Sequence, residues 1–403
     1  TRQSMGTSRD PLGRFFAAGT LALLRARLDA FDADGTPIPV AMGVRDKRAG
    51  PEPRRPRAAL PGPGGFTYDG TTTIGDSPVF ERGDAKAPGG SPVPRAALPA
   101  LACGTLAIPP DTSGRRELAD WIVSPRNPLA ARVMVDRVWG WIFGTGLVPT
   151  PDDFGIGGRA PDDPQLLDTL ACRFVAEGSS VKRLVRHLVT SHAYALSAVA
   201  DADGLREDPD DSLRWRSAPR RLDAESLRDA LLAVSGRLET TRPRGSAVAA
   251  IGEGPVSQPR RGDPVGRALG DAGDVHRSIF LPVIRDMPHP FLGTFDGADP
   301  SLVTVQREQT TVPTQGLVFL NAPFVLLAAD DAATLVTGDA RDDDDRVRAA
   351  VLRILSRPAT DDDLARARGF LAAWRAAAGA DDAGTWSAYC QVLLASPEFR
   401  LRP

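Results

Sequence analysis

Lysine is nearly missing from this chain of 403 residues: Lys47, Lys86 and Lys182 are the only ones, and arginine supplies the rest of the 49 basic side chains. The 49 basic and 51 acidic groups leave a net charge of −2, so no overall field favours nucleic acid or an anionic membrane surface. Three cysteines, Cys103, Cys172 and Cys390, cannot form a fully paired disulfide framework within one chain. No C-x-x-C-H is present for covalent haem and no C-x-x-C pair for zinc. The four histidines, His187, His192, His276 and His289, have no partner at i+4, which argues against a helical zinc site. There is no G-x-S-x-G elbow and no Walker loop, and Gly155-Ile156-Gly157-Gly158 lacks the spacing of a dinucleotide fingerprint. These absences lead us to expect no cofactor and no metal in this chain. No run reaches the ~20 apolar residues of a membrane span. The longest apolar cluster, Leu317 to Ala329, is interrupted by Asn321 and Pro323.

What is present is alanine, arginine, and 39 glycines and 36 prolines. The fold class expected is mainly α: an irregular multi-helix bundle with long Pro/Gly-rich loops and a few short strands. Four regions are expected. Residues 1–110 read as a mixed segment: a helix over 14–31, a turn at Asp32-Ala33-Asp34-Gly35, strands over 38–44 and Val79–Arg82, and a disordered or loop insertion near 45–75. Asp32, Asp34 and Gly35 match only the opening of a calcium loop, with no late Glu.

Residues 111–240 read as a helical domain. Helices are expected over Arg115–Val123, from Asn127 as N-cap through Pro128 to Phe143, over 163–177, over 180–194, and from Asp223 onward. Val135, Val138, Trp141 and Ile142 are the expected apolar face of the second, and Val181, Leu184, Val185 and Leu188 of the fourth. Cys172 lies in an apolar helical pattern and is expected to be a buried thiol. Residues 241–311 read as an irregular connector with an extended piece at Ile279–Ile284. Residues 312–403 read as a C-terminal helical part packed on 111–240. Asp342–Asp345 and Asp361–Asp363 precede helices there and read as caps and first-turn acids.

The chain begins with Thr1 and reads as a fragment of a longer protein. Its candidate chemistry is sparse. Asp152 and Asp153 sit in an acidic, glycine-rich loop. Arg220 and Arg221 precede Asp223, Glu225, Arg228 and Asp229, and a helix would set Glu225 and Asp229 one turn apart on one face. Such a cluster fits either an acid/base pair with an arginine anchor or an ion-pair network that fixes a helix start. Arg132 and Asp136 are spaced as an i,i+4 pair beside Arg137. His289, between two prolines, is a candidate general acid or base. Candidate catalytic groups are therefore Asp152, Asp153, Asp223, Glu225, Asp229 and His289. Candidate ligand-binding groups are Arg132, Arg137, Arg220, Arg221 and Arg228, since guanidinium forks take carboxylates, sulfates or phosphates at two points.

Several runs carry a family resemblance. They are Leu118-Ala119-Asp120-Trp121-Ile122, Ser124 to Leu129, Arg132-Val133, Arg137-Val138-Trp139, Gly146-Leu147-Val148, Asp152 to Gly155, Arg220 to Ala230, Thr310 to Gln315 and Leu320 to Phe324. Together with Arg82-Gly83-Asp84, they resemble the planctomycete domain of unknown function 1553 family. The resemblance implies the C-terminal part of a large exported, periplasmic or cell-surface protein. It also implies an upstream cytochrome c-like haem domain, or another domain of the same protein, as partner, and it brings no established activity to carry over. Asp136 stands where that pattern usually has Asn, Asp163 where it has His and Ser179 where it has Trp. The leading expectation is an accessory or interaction module that binds a partner domain or a polymer such as a polysaccharide, without nucleic acid and without a transmembrane segment. The alternative is a hydrolase or lyase acting on complex carbohydrate through Asp/Glu, with Arg anchoring an anionic group.

Overall fold

The computed structural model describes residue 34 and residues 74–84, 88–98, 101, 106–110, 112–243, 274–283, 288–338, 342–378 and 381–402. The expected helix over 14–31, strand over 38–44 and loops over 45–73 and 244–273 lie outside them, and of the turn at 32–35 only Asp34 is described. The chain divides into two compact units, Thr1–Tyr194 and Ala195–Pro403. Among the described residues it is mainly helical, with a few short strands in two small sheets.

In the first unit an antiparallel hairpin pairs β1 (Ser77–Phe80) with β2 (Pro88–Val93), setting Ser77 opposite Val93 and Phe80 opposite Pro88. Four helices follow: α1 (Arg115–Ile122), α2 (Pro128–Phe143), α3 (Pro164–Ala176) and α4 (Val181–Val189). Local chemistry sets their ends. Asn127 Oδ1 accepts the Leu129 amide at 3.0 Å and Pro128 takes the first helical position, where its missing N–H costs nothing. The Asn127 amide also donates to the carbonyl of Ile122 at 3.4 Å, so one buried side chain closes α1 and opens α2. Gly144, at φ 99°, ends α2. Asp163 and Ser180 cap α3 and α4.

The core of this unit joins Val135, Val138 and Trp139 of α2, Leu167, Leu170 and Phe174 of α3, and Leu184 and Leu188 of α4 with Leu147 and Val148. Two expectations are corrected here. Trp141 is 62% exposed, because the inward stripe of α2 runs through Val135, Val138 and Trp139. Cys172 is exposed, because α3 buries Leu170, Ala171 and Phe174 and turns position 172 outward. The helix expected over 180–194 ends at Val189 and is followed by a 3-10 turn at His192–Ala195.

The second unit contains α5 (Ala202–Glu207), β3 (Arg220–Arg221), α6 (Ala224–Val234), α7 (Pro290–Thr294), α8 (Pro313–Asn321), α9 (Pro323–Gly338), α10 (Asp343–Leu355), α11 (Asp361–Ala378), α12 (Asp382–Ala395), α13 (Pro397–Arg400) and β4 (Leu401–Arg402). Strands β3 and β4 pair antiparallel, which ties the chain end to the start of α6. One apolar core runs through Leu227 and Leu231, the phenylalanines Phe291, Phe295, Phe319 and Phe324, Val351, and the fully buried Trp386. Of the extended piece expected over Ile279–Ile284, Ile279 and Phe280 lie in a 3-10 turn (Ser278–Phe280) with Ser278 buried and Ile279 outward, Leu281 is extended, and Ile284 lies outside the described residues. Among the described residues no single helix is long and apolar enough to cross a membrane; α8 and α9 reach that length and apolarity only together, and they meet at a 50° bend.

Asp342 caps α10 through the Asp345 amide at 2.8 Å. Asp343, Asp344 and Asp345 in its first turn pair with Arg375, Arg368 and Arg348. Helix-dipole attraction and ion pairing both favour acids at these positions.

Candidate functional site

Each candidate residue sits in its own local setting. In the first unit Asp152 is exposed. Asp153 closes the loop on itself: its Oδ1 accepts the Gly155 amide at 2.7 Å and its carbonyl accepts the Thr150 hydroxyl at 3.1 Å. Gly158 passes so close that a Cβ there would lie 1.9 Å from the Asp153 carbonyl oxygen. Arg132 donates to Asp168 at 2.6 Å and to the Pro128 carbonyl at 2.9 Å, and its pairing with Asp168 raises its pKa. The expected Arg132–Asp136 pair is therefore corrected. Asp136 is fully buried, and its Oδ1 accepts the Val148 amide at 2.8 Å, pinning α2 to the turn that follows it. Burial raises the Asp136 pKa. Arg137, the next residue on α2, is exposed.

In the second unit Asp223 caps α6, accepting the Ser226 amide at 2.7 Å. Two residues on, Glu225 takes both ends of the Arg307 guanidinium, with Nη2 to Oε1 at 3.0 Å. Asp229 accepts the amide and the hydroxyl of Ser278, each at 2.7 Å, with Arg277 Nε 3.6 Å away. Glu225 and Asp229 share a helix but point to different partners.

Arg220 lies half-buried on β3 opposite Arg402. Arg221 reaches across the unit: to Asp296 Oδ2 at 2.5 Å, to the Thr310 carbonyl at 2.5 Å and to Gln315 Oε1 at 3.3 Å. Asp296 in turn accepts the Thr310 amide at 2.9 Å and hydroxyl at 2.8 Å. Arg228 is fully buried and donates to the carbonyls of His276, at 3.1 Å, and Asp274, and to Ser278 Oγ at 3.2 Å. His289 is buried at the head of α7. Burial first, and then the Arg228 charge, push its pKa down to about 4, so it is neutral at neutral pH.

Sequence reasoning missed Asp296, the buried state of Asp136, and Gln315 as an inner hydrogen-bond hub that also donates to the Thr294 carbonyl at 3.1 Å. A signal for two of them was present. Thr310 to Gln315 and Arg220 to Ala230 are both runs that carry the family resemblance, and Arg221 physically joins them. Gly146-Leu147-Val148 is joined to α2 in the same way by Asp136.

One further feature lies on α4. Ser180, Lys182, Arg183 and Arg186 line an open depression of about 560 Å³. All three cations are exposed, and among the described residues no carboxylate lines the depression. Among the described residues no group of three or more His, Cys, Asp or Glu is placed to hold a metal ion.

Residues 114–371 match the family described as Protein of unknown function (DUF1553), and the chain belongs to that family. No curated protein and no solved structure matches it.

Proposed function

We propose, from membership of a family without an assigned activity, that this chain is an accessory module of a larger protein that acts by docking rather than by covalent chemistry. The larger protein is taken to be exported or surface-associated, and its other domains, an upstream haem domain among them, or a polymer are the ligands. One observation carries this reading. Asp153, Asp223, Glu225 and Asp229 each engage an amide, hydroxyl or guanidinium of their own unit, and the two carboxylates that share α6 diverge to Arg307 and Ser278. Paired glycosidic catalysis needs two carboxyls about 5–10 Å apart across a common cleft, each available to substrate or water.

The test is to incubate the purified chain with a panel of neutral and anionic polysaccharides and measure new reducing ends and unsaturated products. The expected result is none above background. Turnover that disappears in Glu225→Gln or Asp229→Asn would replace docking with the carbohydrate hydrolase or lyase reading.

A further inference from the structure

We infer that the exposed cationic face of α4 is a docking surface for an extended acidic segment of a partner polypeptide. The inference rests on the docking reading above and names the chemistry of the partner. Lys182, Arg183 and Arg186 line the depression with Ser180. None of the three forms an ion pair among the described residues, whereas Arg132, Arg221, Arg307, Arg357, Arg368 and Arg375 all do. Among the described residues the Arg183 guanidinium donates to the Glu177 carbonyl, at 3.0 Å, and pairs with no carboxylate. The acid of this neighbourhood, Glu177, is taken by Arg173 at 2.8 Å.

The placement also runs against the helix's own preference. Ser180 is the N-cap, so Lys182 and Arg183 occupy the first turn, where the macrodipole disfavours positive charge. Local rules broken without local compensation are expected where a sequence serves function.

The shape and spacing select the partner. The depression is open and lined by flexible cations, unlike the enclosed, mostly apolar pockets that hold small molecules. Among the described residues no aromatic ring lines it to stack a base, as single-stranded nucleic acid would need. Positions 182 and 186 are one helical turn apart, about 5–6 Å between Cβ atoms. Alternate side chains of an extended peptide repeat at about 7 Å, so successive same-side carboxylates can meet successive cations.

The experiment titrates fluorescein-labelled decaglutamate into the full chain at about 0.01 M and about 1 M ionic strength, where the Debye length is ~30 Å and ~3 Å. The wild-type chain should bind at low salt and lose binding at high salt. The double variant Lys182→Glu, Arg183→Glu should bind at least about tenfold more weakly. It completes a Ser180-x-x-Glu capping box and removes first-turn cations, so its thermal midpoint should hold or rise, which separates lost binding from lost folding. Arg126→Glu, an exposed cation away from the depression, should leave affinity unchanged. Equal affinity in the double variant, or no wild-type binding at low salt, would overturn the inference. So would capture of polygalacturonate that decaglutamate cannot displace. Polysaccharide turnover would instead remove the docking reading itself, whatever the peptide does.

Discussion

The two compact units treat buried charge in opposite ways. The first unit buries a carboxylate, Asp136, against backbone amides with no cation bonded to it, and leaves its α4 cations in water. The second buries a guanidinium, Arg228, among carbonyls and a hydroxyl, and pairs cation after cation with acids. Charge in the second unit is mostly structural cement. The first unit also pairs Arg132 with Asp168 and Arg173 with Glu177, and adds to these one inward pin and one outward cationic face. The lesson is that arginine content alone does not mark a binding surface; the α4 face differs in clustering three cations with no acid assigned to them around one depression.

Arg228→Met should be the most damaging of the changes considered. Removing a buried cation while its acceptors stay buried costs about 3–5 kcal/mol, read as a lowered denaturant midpoint for the second unit with α4 signals unchanged. If the loss is under ~1 kcal/mol, the buried guanidinium is not the pin of this unit. Gly146→Ala tests the corresponding pin in the first unit. An added Cβ would lie 2.7 Å from a carboxylate oxygen of Asp136, which is held by backbone on a packed helix and cannot yield. Overpacking of this kind costs about 1–3 kcal/mol.

The units should also answer pH with opposite signs. The Asp136 pKa is raised by burial, so its contribution is fully present below the unfolded value of about 3.9 and is lost as pH rises through the folded pKa. Asp136→Asn should therefore stabilise the first unit at neutral pH and flatten that slope. His289 is depressed to about 4, so its contribution is present above about 6.5 and is lost as pH falls toward 4. Asp363, held well below the usual carboxylate range first by the Arg357 guanidinium, adds an acid limb of the same sign below about pH 4. Amide exchange resolved by unit, with His289→Leu removing the slope between pH 6.5 and 4, checks the contrast; parallel slopes in both units would erase it. The smallest effect is on α4, where Lys182→Glu alone should raise stability by about 0.3–1 kcal/mol at low salt, measured by thermal melting.

Much of the fold was legible one segment at a time. Asn127-Pro128 marks the start of α2 and Asp223 that of α6, because caps and prolines act through the residue's own backbone. The 3.6-residue stripe found Val135, Val138, Leu184 and Leu188. It misjudged Trp141 and Cys172, since periodicity specifies a face only to within one side chain and the neighbour decides which flank closes. The site was less legible. Spacing alone paired Arg132 with Asp136, whereas Asp136 turned inward to Val148 and Arg132 found Asp168 on α3.

Sequence by itself determined the helical class, the capped starts of α2 and α6 and the absence of cofactor motifs, because propensity, capping and composition are properties of neighbours along the chain. Tertiary structure alone decided which charges are neutralised. Arg221 meets Asp296 and Thr310, and Glu225 meets Arg307, across separations of 75 or more residues. Coulomb and hydrogen-bond energies depend on distance in space, and only the packed chain sets that distance.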